Sequence, residues 1–141
     1  MVTFYSILMC LNALCAVTIL LSGVDRKRPH FVVLAVLNVV LFIFHFLSLS
    51  LHASEDVNEA IAISKLHLAC IIIGHPVLVL VFGLWTRFKN TKLVFYSFCV
   101  FSMPLFLINF FSEFSIRYGD HVELVSYVSV FGDSVSILLG D

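Results

Sequence analysis

Charge is what this sequence has least of. Eight Lys and Arg and nine Asp and Glu make up 12% of 141 residues, against roughly 25% in an ordinary soluble domain. Their placement excludes more than their number does. Residues 2–24, 31–54, 66–86 and 93–112 contain no charged side chain at all. Each run is close to the roughly 20 apolar residues that cross a hydrocarbon core some 30 Å thick. Four such runs in succession leave no polar face for water, so a soluble globular domain is excluded.

Other scarcities narrow the chemistry. The four cysteines, Cys10, Cys15, Cys70 and Cys99, lie inside the apolar runs without CxxC spacing, so they read as small apolar residues rather than disulfides or zinc ligands. No glycine-rich phosphate loop occurs, and no basic arm is present to grip nucleic acid. No carboxylate lies within an apolar run, and no hydroxyl–imidazole–carboxylate set is legible. Catalysis therefore has no visible machinery, and the chain is expected not to be an enzyme. The first run is preceded by MVTFYS, which lacks a basic residue, and it is too long for a cleaved leader; it reads as a retained helix.

What is present is 61% hydrophobic residues and a mean hydropathy of +1.09. The expectation is an all-α integral membrane helical bundle with spans near 3–24, 31–51, 57–85 and 93–111, followed by a tail at 122–141. Pro29 prevents the first helix from continuing and suits the start of the second. Asp56 with Glu59 three residues on has capping-box spacing and opens the third helix. Lys65, near that helix's start, reads as a side chain that snorkels to the surface. Pro104 in the fourth span predicts a kink whose freed carbonyl needs a donor from a neighbouring helix. The tail is broken at Gly132-Asp133 and is read as interfacial or frayed rather than as a fifth span.

Six of the eight basic residues lie between spans one and two or between three and four, and eight of the nine acids lie on the other side. The positive-inside rule then makes the basic loops cytoplasmic, N-out and C-out. Partners expected from this reading are the lipid bilayer, other membrane helices or further copies of the chain, and a small ligand, with no nucleic acid.

Polar residues inside spans are costly, and each is a candidate. His45 and His67 fall eleven residues to either side of Asp56, which puts them at similar depth in antiparallel helices. Asn38 and His75 form a second, deeper level, and Asn38 and His45, seven apart, share a helix face. Three readings stay open: hydrogen bonds between helices, a small-molecule or proton-sensing pocket between spans two, three and four, and haem or metal ligation by His45 and His67. No cofactor is assigned. Gly74-His75-Pro76 is a candidate bend, in which proline frees the carbonyl of Ile72 and Gly74 permits close backbone approach. The site candidates are Asn38, His45, His67, His75, Pro76 and Asn109.

One stretch resembles a known family. Lys65 and His67, then His75-Pro76, then Phe82-Gly83-Leu84-Trp85-Thr86-Arg87, and later Leu107-Ile108-Asn109-Phe110 and Ser115-Ile116-Arg117-Tyr118-Gly119, resemble the N-terminal seven-helix membrane region of bacterial sensor histidine kinases and diguanylate cyclases. The likeness covers about 61–119. It departs at Leu84-Trp85-Thr86-Arg87, where that family favours Tyr-Thr-Gly-Arg. The resemblance implies a non-catalytic sensor or input region of the bacterial inner membrane, here without an output module and hence a truncated or orphan sensor. The reading from another class is a small four-helix subunit of cytochrome-like or transport type.

Overall fold

The computed structural model describes residues 2–25, 28–112, 122–128, 132 and 134–140. Arg26, Lys27 and the 115–119 stretch lie outside the described residues. Four long helices follow one another: α1 Val2–Asp25, α2 Pro29–Ala53, α3 Val57–Trp85 and α4 Thr91–Phe111. All four are long and apolar enough to cross a membrane. Their ends follow local chemistry. Pro29 occupies the first turn of α2, and the carboxylate of Asp56 accepts from the Glu59 amide to cap α3. The end of α3 closes with Arg87 at φ 55°, and the Phe88 amide donates to the Gly83 carbonyl at 2.9 Å. That is a Schellman turn built on arginine rather than on the usual glycine.

The connections are short, so consecutive helices lie antiparallel side by side. The helices nevertheless do not close into a bundle. Among the described residues α1 packs on α2, α2 on α3 and α3 on α4, and no other helix pair is in contact. The expected bundle is thus an open row one helix thick. A pocket shared by spans two, three and four is not formed, because α3 separates α2 from α4. Only 6% to 17% of each span's most apolar window is buried within the chain. The flanks of this row must be covered by acyl chains or by other protein.

Small residues set the spacing along the row. Ala16 and Ala35 are buried on α1 and α2, and a Cβ added at Gly23 would lie 2.7 Å from Phe31 Cβ. Gly83 does the same for α3 and α4, where an added Cβ would lie 2.9 Å from Thr91 Cβ. Gly74 does not act this way. Its added Cβ would meet only Val40 Cγ1, at an ordinary 3.7 Å, so the close approach expected there is found nine residues further along, at Gly83.

The all-α expectation is corrected at the end of the chain. Strands β1 Val122–Val128 and β2 Ser134–Gly140 pair antiparallel, with Leu124 opposite Leu138 and Ser126 opposite Ser136. The hairpin's connection includes Gly132 at φ 83°, a left-handed conformation suited to glycine. The hairpin packs on α2 and α3. Leu51, Ala60 and Leu138 are buried together there, with Val57, Ile61, Val122 and Leu124 against them. The densest apolar core therefore sits at the acidic end of the row, under the hairpin. His52 Nδ1–H donates to the Ser136 carbonyl at 3.1 Å and ties strand to helix.

Candidate functional site

The helix register expected from counting outward from Asp56 is nearly right, but the faces are not. His67 is buried on the α2 side of α3, its ring stacked on Phe44 at 4.2 Å between centroids. Its Nε2 lies 2.9 Å from Ser48 Oγ, and the Ser48 hydroxyl donates to the Phe44 carbonyl at 2.9 Å. With that single proton committed, the hydroxyl oxygen accepts from Nε2–H of His67. His45 turns the other way, towards α1, with its ring 6.0 Å from that of Tyr5. Tyr5 also lies 5.8 Å from the His52 ring. The two imidazoles offered for metal or haem therefore face different helices, and Nε2 of His67 is already engaged. Among the described residues no group of three His, Cys, Asp or Glu comes together. Nδ1 of His45 is buried without a hydrogen-bond partner among the described residues.

Asn38 and His75 are likewise not brought together. Asn38 donates to the Leu34 carbonyl of its own helix at 2.9 Å. His75 lines an apolar groove of about 230 Å³ between α2 and α3, with Leu37, Val40, Phe44, Cys70 and Leu78 among its walls. The His75 Nδ1 to Ile71 carbonyl distance is 2.7 Å. A carbonyl only accepts, so Nδ1 carries the proton and Nε2 of the neutral ring is an acceptor. Pro76, one residue on, is buried on the opposite side of α3, in a groove of about 320 Å³ shared with Phe95, Cys99 and Phe106 of α4. The adjacent pair thus serves two different grooves. Pro104 is exposed on α4, and among the described residues α3 is the only helix that α4 contacts.

Asn109 is the site candidate whose surroundings are most completely built. Its side chain is fully buried, and Nδ2 donates to the Lys65 carbonyl at 2.8 Å. The Lys65 ammonium donates in return to the Ser112 carbonyl, just past the end of α4. Lysine at a helix C-terminus is favoured by the carbonyls that the last turn leaves free and by the helix dipole. Lys65 is therefore half-buried and engaged with α4 rather than reaching alone to the surface. These two bonds cross between α3 and α4 near the acidic end, while Gly83 against Thr91 closes the basic end. Asn109→Leu, close in volume, is expected to lower stability by about 1–2 kcal/mol. Unfolding of the purified chain in mixed micelles would measure it, and a cost below about 0.3 kcal/mol would show that the amide only fills space.

Residues missed by the sequence reading are Ser48, Phe44, Tyr5 and Ser136. Ser48 lies three residues, or about one helical turn, from the level that the count from Asp56 assigns to His67. Nothing local places a tail strand, and with it Ser136, beside His52. No protein-family model, curated protein or solved structure matches the chain.

Proposed function

We propose that this chain is the membrane-embedded sensor or input region of a bacterial inner-membrane signalling protein, with the positively charged loops in the cytoplasm. It detects a lipophilic molecule and performs no chemistry on it. The observation that carries the reading is the α2–α3 groove, apolar on every wall except for the His75 imidazole. A site lined by aliphatic and aromatic groups with one placed polar atom suits a ligand that arrives through the bilayer. Since Nε2 is the acceptor, the ligand class is an apolar molecule bearing one hydroxyl. The open row supports the same reading, since its unpartnered flanks suit docking of further helices to which a change in the groove is passed. The resemblance over 61–119 points the same way.

The test uses hexadecanol carrying a photoreactive diazirine, and the methyl ether of the same compound. The alcohol is expected to label Phe44, Cys70 and Leu78 several-fold more than the ether, and His75→Phe is expected to equalise the two. Equal labelling by alcohol and ether in the unaltered protein would sink the assignment.

A further inference from the structure

The turn between α3 and α4 carries Arg87 and Lys89, and Lys92 follows in the first turn of α4, with no acidic residue among them. All three cations are exposed, and none is ion-paired among the described residues. Beside this turn, between the two helices, runs an apolar groove of about 300 Å³ lined by Val79, Phe82, Gly83, Phe88, Thr91 and Val94. Thr86, Phe88 and Thr91 line the groove and are sequence neighbours of the three cations, so the segment that carries the cations borders it. Trp85 and Phe88 flank the same end, 66% and 53% exposed, as aromatic rings do at headgroup level. Lysine and arginine stems run along apolar surface and hold their charged heads in the polar layer. Unpaired positive charge therefore lies at headgroup depth, and apolar space lies at acyl depth below it.

We propose that this end of the row is a binding site for an anionic phospholipid, with the phosphate on Arg87, Lys89 and Lys92 and one acyl chain in the α3–α4 groove. A zwitterionic lipid brings its own cation to the same three charges and is disfavoured. The site shares Leu78 with the His75 groove, which opens between α2 and α3, and its other walls are different. It rests on the chain lying in a bilayer, and its experiment distinguishes that condition from the lipid preference itself.

Trp85 is the single tryptophan of the chain; it lines the adjoining α2–α3 groove together with Phe82 and Thr86, which also line the proposed site. The full chain is reconstituted in vesicles of phosphatidylcholine and phosphatidylglycerol, with one or the other brominated on its acyl chains. Trp85 quenching is then read as relative occupancy. Brominated phosphatidylglycerol is expected to be preferred roughly fivefold over brominated phosphatidylcholine, the effect of about one cation at an anionic surface. The preference is expected to fall to near unity in R87Q/K89Q/K92Q and to persist in K89R/K92R, which keeps the charge. Val94→Phe, which fills the groove and leaves the cations, is expected to reduce it as well. Equal quenching by the two lipids in the unaltered protein overturns the proposal, as does a preference unchanged in the triple variant or in Val94→Phe. Absence of quenching by either lipid overturns it together with the membrane reading.

Discussion

Gly83→Val is expected to destabilise the protein by about 3 kcal/mol, at the upper end of what overpacking costs. A Cβ at this position lies 2.9 Å from Thr91 Cβ and closer still to both atoms beyond it. Thr91 has no room to yield. It is buried, and its hydroxyl donates to the Phe88 carbonyl at 2.6 Å, inside the turn that sets the angle between α3 and α4. Relief therefore requires the two helices to part, which also loosens the bonds that Asn109 and Lys65 make at the other end. Gly74→Ala in the same helix supplies the contrast. Its new methyl meets one atom at 3.7 Å, and alanine is the better helix former by roughly 1 kcal/mol, so this variant is expected to be neutral or more stable. Reversible unfolding in mixed micelles measures both. A Gly83→Val variant as stable as Gly74→Ala would show that α3 and α4 are not held at this distance.

Leu138→Ala is expected to release the hairpin from the helices at a cost of about 2–3 kcal/mol, the low end for a buried leucine. Leu138 is 7% exposed in the cluster with Leu51 and Ala60, whereas its neighbour Leu139, on the other face of the same strand, is 44% exposed. Leu139→Ala is accordingly expected to stay within about 0.5 kcal/mol. An isolated two-stranded hairpin is marginal in water, so loss of docking is loss of the strands. Hydrogen exchange at the β1 and β2 amides reads this directly: fast exchange in Leu138→Ala and slow exchange in Leu139→Ala. Equal protection in both variants would mean that the hairpin stands without the helices.

The strands that the sequence reading left out of the tail and the four helices that it placed have a common cause. Residues 122–140 were measured against the length of a membrane crossing, and their apolar runs failed it. Seven residues are ample for a strand, and Val122, Val125, Val128, Val135 and Ile137 are the β-branched residues that strands favour. Gly132, read as an interruption, lies in the connection between the strands with φ 83°. The histidines show a second limit. Seven-residue spacing puts Asn38 and His45 on one side of α2, but no count along a single chain says which neighbour that side meets. His45 meets Tyr5 of α1, and Ser48 and Phe44 meet His67 of α3. Asn109 entered the candidates through the resemblance, in Leu107-Ile108-Asn109-Phe110, whereas its partner, a main-chain carbonyl on α3, has no signature in sequence.

By itself the sequence determined the number of helices, their limits to within a few residues and the sorting of basic and acidic loops to opposite ends. These properties are set by runs of about 20 residues, where the transfer cost of each side chain adds locally. The tertiary structure alone decided that the helices lie in an open row, that the tail folds back as a hairpin over Leu51 and Ala60, and that His75 and Pro76 open into different grooves. Those outcomes depend on pairs of residues far apart in the chain, on single contacts such as Gly83 against Thr91, and on steric fit that composition does not record.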